Sequence, residues 1–311
     1  MLPRVYAVAV NTFREAVRDR VLQGVVAAAA SIVLFALALG ELSLGEDVRV
    51  VLDVGLAAIS LFGVVVAIFL GSSLLYKEIE RKTLYVILPK PIRRSEFLVG
   101  KFAGIALTGA VFTTSTGGFL LWLLVMQQDV VPWHGVLTAP IVVAASLGLG
   151  LWKGRGRTGL VVPWAAGFLA MNAAIATSCG VDPWPVVWSL VLVSAEISVL
   201  TAVALVFSSF SSPFLTGVFT AGVWIVGRNA DELATMRSRV LPDDVKALMR
   251  VVAEEAPNLH LFVPGRHTLS VQSAAFGGPT MYVAAALGYA TLYCVVMLVV
   301  ASLVFRRRDF I

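Results

Sequence analysis

The amino-acid sequence predicts an all-α fold: a polytopic transmembrane helix bundle preceded by an N-terminal amphipathic helix on the membrane surface. Three observations carry this. Of 311 residues, 59% are hydrophobic and 14% charged, and the mean hydropathy is +0.89; soluble domains hold roughly 45–50% apolar and about 25% charged residues. The apolar residues gather into uncharged runs of the length a helix needs to cross about 30 Å of hydrocarbon. The basic residues collect in the connections on one side of those runs. In hydrocarbon every backbone amide must be satisfied within its own segment, so the runs are read as helices and a soluble enzyme is excluded.

Taken in chain order, residues 3–20 come first. Tyr6, Val10, Phe13, Val17 and Val21 recur at three- and four-residue spacing, with Arg14, Glu15, Arg18 and Asp19 off that stripe, the pattern of a helix lying in the membrane interface. The run 21–44 is too long for a signal peptide and is read as a retained anchor. Further spans are expected at 53–76, 101–127, 186–207 and 281–305, and a shorter one at 212–228 opens with Pro213 in its first turn. Two runs, 137–152 and 158–177, carry Pro140 and Pro163 and read either as two crossings or as a re-entrant hairpin. The basic turn Lys153, Arg155 and Arg157 between them favours two crossings. The whole chain, 1–311, is thus one membrane domain with four distinct parts: the surface helix 1–20, a charged connection 77–100, an extra hairpin 130–180 and an extracytoplasmic region 228–280. Within the last, Pro242 is expected to open a short helix bearing Val245, Leu248, Met249 and Val252 on one face.

Charge sets the orientation. With both termini cytoplasmic, the inner segments 1–20, 77–101, 153–157 and 306–311 hold most of the 24 lysines and arginines, but among acids only Glu15, Asp19, Glu78, Glu80, Glu96 and Asp309. This is the positive-inside asymmetry. The net charge of +5 is therefore a topology signal, and the cations are too dispersed to form a nucleic-acid groove.

No residue pattern supports catalysis in this chain. A phosphate-binding loop needs glycines to expose backbone amides and a Lys followed by a hydroxyl. Around Gly100-Lys101, Ser95 stands where the first glycine belongs and Phe102 where the hydroxyl belongs. His134, His260 and His267 lack metal-ligand spacing, so no metal is expected. Cys179 and Cys294 are too few for a disulfide framework.

The most informative stretch runs from Tyr76 to Lys101. A charged helix, Lys77-Glu78-Ile79-Glu80-Arg81, leaves the second span; the chain breaks at Pro89 and Pro91 and restarts with Ser95 placed as a helix cap. The acids followed by Thr83, then Leu88-Pro89-Lys90-Pro91-Ile92-Arg93-Arg94, Phe97 and Gly100-Lys101, resemble the permeases of ABC exporters of the second class, the ABC-2 type. So does the amphipathic segment Asn11-Thr12-Phe13-Arg14-Glu15-Ala16-Val17-Arg18-Asp19-Arg20. The likeness continues more loosely through Ser208–Pro213 and the arginines after the last span, and in style it is nearest to the permeases of nitrous-oxide-reductase maturation and gliding-motility systems.

That resemblance implies a half-transporter: a six-helix exporter core, here with two extra spans, that dimerises with itself or with a second permease in a bacterial cytoplasmic membrane. ATP and Mg would be held by separate ABC ATPase subunits and not by this chain. The resemblance places Glu78, Glu80, Arg81 and Thr83 on the coupling helix that meets the ATPase, flanked by Lys90, Arg93 and Arg94. The surface helix would lie beside it against lipid.

Glu196 is the one acid inside a firm span. At mid-bilayer such a group costs roughly 2.5–3.5 kcal/mol to insert and must face protein or water. It reads either as a polar point on a transport path or as a packing hydrogen bond. Thr113, Thr114 and Thr116, with Ser115, read either as a polar lining or as close-packing hydroxyls. Two further function classes follow: an ion-coupled secondary transporter with Glu196 as protonation site and helices broken near mid-membrane, and a membrane scaffold whose region 228–280 recruits an extracytoplasmic partner. The first would run on a pH gradient without nucleotide, and the second would have no separable transport defect.

Overall fold

The structure, a computed structural model, describes residues 2–43, 45–80, 93–127, 141, 143, 157–230, 256–263 and 273–307. Among these residues it is an all-α bundle of eight α-helices: α1 (Leu2–Arg18), α2 (Arg20–Glu41), α3 (Asp47–Glu80), α4 (Arg94–Met126), α5 (Val161–Ser178), α6 (Trp184–Ser208), α7 (Pro213–Arg228) and α8 (Pro279–Arg307). Short 3-10 turns cover Arg157–Leu160, Leu259–Phe262 and Ser273–Phe276. The expected run 137–152 and the helix expected after Pro242 fall outside the described residues, except for Ile141 and Val143.

Six helical stretches are long and apolar enough to cross a membrane: Arg20–Glu41, Asp47–Ser73, Ser95–Met126, Thr158–Ser178, Trp184–Ser208 and Pro279–Phe305. The set differs from the expected core at one place. Helix α7 has 16 residues, about 24 Å at 1.5 Å per residue, and so falls short of the roughly 30 Å hydrocarbon layer. In contrast 158–178, one of the two ambiguous runs, has full spanning length.

Helix α6 forms the centre. It packs along α3, α4 and α8, and most of its length is buried. In a membrane, lipid tails are as apolar as leucine, so close packing depends on small residues that let backbones approach. Ile197 of α6 shows this. It fits between two glycine notches: a Cβ at Gly63 of α3 would lie 2.7 Å from its Cδ1, and one at Gly109 of α4 would lie 2.5 Å from its Cγ2. Helices α2, α5 and α8 sit outside, with most of each apolar span uncovered by protein.

Helix α1 is separated from α2 by Asp19, an extended N-cap whose side chain accepts from Val21 N at 2.9 Å. It lies along the first turns of α4. The face it buries includes Phe13 of the expected stripe and extends beside it to Thr12 and Ala16. Thr12, Phe13 and Ala16 are the buried residues, and Val8, Ala9 and Thr12 meet Gly100 and Gly104 so closely that a Cβ at Gly104 would be 2.6 Å from the Ala9 carbonyl oxygen. Tyr6 of the expected stripe is 71% exposed.

The start of α4 also departs from expectation. Arg93, extended at φ −70° and ψ 144°, is the N-cap in place of Ser95. Glu96, three residues on, reaches back so that its Oε2 accepts from Arg93 N at 3.1 Å, and Arg4 of α1 approaches the same oxygen at 3.9 Å. A carboxylate in the first turn also complements the helix dipole, which a serine hydroxyl does not.

Candidate functional site

Two places carry the sequence-derived candidates. The first is the charged connection between α3 and α4. Helix α3 runs unbroken from Asp47 to Glu80, so its last turn extends beyond the apolar run that ends at Tyr76 and carries Glu78 and Glu80. Arg93 and Arg94 stand at the cap and first position of α4. Arg81, Thr83 and Lys90 lie outside the described residues. The connection is thus flanked by one long helix on each side, and α1 clasps the beginning of the second.

The second place is a polar node in the middle of the bundle. Ser60 lies within the apolar run of α3, and Glu196 is the central residue of the span Trp184–Ser208. They are brought together because α3 and α6 pack along their lengths. Glu196 is wholly buried. Its carboxylate takes three donors: the Ser60 hydroxyl donates to Oε2 at 3.1 Å, and Trp224 Nε1–H and Arg228 Nη1–H each donate to Oε1 at 3.0 Å. Arg228 Nη1 also donates to Ser60 Oγ at 3.0 Å, closing a ring of three side chains from three helices. The Arg228 guanidinium lies 5.7 Å from the Trp224 ring centre. A charge at mid-membrane is tolerable when paired and hydrogen-bonded, and this carboxylate is both.

Arg228 stands where the expected span 212–228 meets the expected region 228–280. It is the last residue of α7, and its guanidinium meets the Glu196 carboxylate. Trp224 and Arg228 are four residues apart and therefore share a face. That spacing, together with the need of an intramembrane acid for a cation, was the available signal. Ser60 gave none, because a single hydroxyl in an apolar run usually bonds its own backbone.

Within the expected region 228–280, the described turn Leu259–Phe262 packs against the bundle. Leu259 and Phe262 are fully buried against α6, α7 and α8. The turn is tied to α8, where Tyr289 Oη accepts from Asn258 N at 2.9 Å and Tyr282 Oη donates to the Leu261 carbonyl at 2.8 Å.

Of the threonines of α4, Thr113 meets α6. Thr113 Oγ1 lies 2.8 Å from Ser194 Oγ, while Thr114 donates to Ala110 O and Thr116 to Phe112 O, both one turn back. Trp164 of α5 donates to the Val143 carbonyl at 2.9 Å, which places that residue of the expected hairpin beside α5.

Comparison with known proteins agrees with this architecture. The family described as ABC-2 family transporter protein matches residues 6–310. No curated protein matches the chain.

Proposed function

Because the chain belongs to the ABC-2 family of transporter proteins, we propose that it is the permease half of an exporter in a bacterial cytoplasmic membrane, driven by ATP hydrolysis in separate ATPase subunits. It is a multi-pass membrane protein and the membrane subunit of an ABC transporter, not itself an ATPase. The proposal adds direction, partner and mechanism. Both termini and the 77–100 connection face the cytoplasm, where most of the basic residues collect. Two permeases, identical or sister copies, form the transporter among lipid, and each meets one ATPase that holds ATP and Mg.

The observation that carries the mechanism is the continuity of α3. Force entering at Glu78 and Glu80 acts on a helix that runs without a break to the mid-span node at Ser60. A soft linker would absorb a displacement, whereas a continuous hydrogen-bonded helix passes it on and can bias a two-state bundle. Arg81, Thr83, Lys90, Arg93 and Arg94 complete the docking surface, with α1 bracing the start of α4. Glu196, Thr113, Thr114 and Thr116 then lie along the helices whose rearrangement opens the path.

The test is charge reversal at the docking surface. In E78K/E80K the permease is expected to insert normally, while the ATPase no longer co-purifies and stimulated ATP turnover falls to the level of the isolated ATPase. Normal co-purification and turnover count against the reading. Transport that persists after nucleotide depletion and follows a pH gradient would replace it with the ion-coupled alternative, for which a helix ending beside an intramembrane acid is the favouring observation.

A further inference from the structure

Helix α7 is attached to the bundle differently from its neighbours. Its buried residues are Thr216, Thr220 and Gly227, and Trp224 and Arg228 continue the same four-residue spacing toward Glu196 and Ser60. Phe214, Leu215, Val218, Phe219 and Ile225 point outward and are exposed. The seam that holds α7 is therefore largely polar and small, while its bulky apolar face lies outside the bundle. Thr216 and Thr220 donate to backbone within the helix or pair with Ser211 close by, so they do not tie α7 to another helix. Polar bonds to α3 and α6 are concentrated at one end, in Trp224 and Arg228. Arg228 is not sealed in: its side chain is 23% exposed, whereas that of Glu196 is 0% exposed.

We propose that the Glu196–Arg228 pair, with Ser60 and Trp224, is a releasable latch that pins the mid-membrane end of α7 to α3 and α6, and that its opening frees α7 to move during the transport cycle. The holding half stands on the geometry of the node. The release half rests on the ATP-driven reading above, because the moving partner is α3, whose Ser60 accepts from Arg228 and donates to Glu196. A shift of α3 withdraws the residue that bridges both charges. In hydrocarbon, few interactions besides packing and such bonds hold a short helix in place, so losing them has a large effect on position. Arg228 is the less enclosed partner, so its guanidinium can withdraw while Glu196 stays within the bundle.

The test uses the full chain in lipid nanodiscs, with Cys179→Ser and Cys294→Ala, spin labels at Leu61→Cys on α3 and Ile225→Cys on α7, and dilution with unlabelled protein. Both label positions are exposed, at 48% and 55%. Without nucleotide, the parent is expected to give one narrow distance distribution, and R228Q a broadened, displaced one. The double variant E196Q/R228Q, which leaves no unpaired charge and so guards against simple misfolding, is expected to be displaced as well. An unchanged distribution in the double variant overturns the holding half. In complex with the ATPase, a non-hydrolysable nucleotide is expected to move the parent distribution toward that of R228Q. A distribution unmoved by nucleotide, with nucleotide binding verified, overturns release and makes the pair a static pin. If no ATPase partner co-purifies, release falls together with the reading it rests on, while the first measurement still decides the holding half.

Discussion

Glu196 illustrates how a single residue can be costly alone and stabilising in company. With Arg228 in place, its carboxylate has a countercharge and three hydrogen bonds. Remove the cation and a charge remains at the centre of the bundle. R228Q is therefore expected to lose about 3 kcal/mol of stability, whereas E196Q/R228Q, which removes both charges, should recover much of it. Thermal unfolding in detergent compares the two directly, and equal losses would mean that the pair is not coupled. Trp224→Phe keeps the ring but deletes one donor to a charged acceptor, a loss of roughly 2 kcal/mol by the same assay. Thr113 and Ser194 form a milder version of the same device, a hydroxyl pair joining α4 to α6.

At the scale of elements, the decisive quantity is how closely backbones approach. Helix α1 rests in a groove made by Gly100 and Gly104 of α4, where any added side chain collides with Val8 or the Ala9 carbonyl. Gly104→Val is expected to lift α1 off α4, seen as faster amide hydrogen exchange across residues 5–16. Gly24→Val on α2, where an added Cβ meets nothing within 4 Å, should leave that exchange unchanged. Lifting α1 would also withdraw Arg4 from Glu96, which caps the helix at the edge of the charged connection. Helix α7 presents the opposite case: its polar bonds to α3 and α6 among the described residues are concentrated at one end.

For the whole molecule, the distribution of charge implies a sidedness that can be measured. Asn11 on α1 and Asp182 between α5 and α6 are both exposed. A membrane-impermeant maleimide is expected to label Asn11→Cys only in inverted vesicles and Asp182→Cys only in right-side-out ones, in a background free of the native cysteines. The reverse pattern would move the α3–α4 connection to the opposite face and remove it from any cytoplasmic ATPase. With the expected pattern, α3 links the two candidate sites, since it passes from the charged connection at Glu80 to the node at Ser60.

Composition and run length determined that this protein is a bundle of membrane helices, because a desolvated backbone leaves helices as the only structure for such runs. Spacing also marked α1 as amphipathic, and the lone acid at 196 as a residue in need of a partner. What the linear pattern did not contain was distance between helices. The stripe by which α1 docks is set by two glycines on another helix. The partner of Glu196 stands at the end of a run that reads, by hydropathy, as a shortened span followed by a loop. The pairing of Arg228 with a carboxylate halfway along a neighbouring helix is a decision of the tertiary structure. Only three-dimensional packing could make it, since it weighs the desolvation of one charge against the position of another far away in sequence.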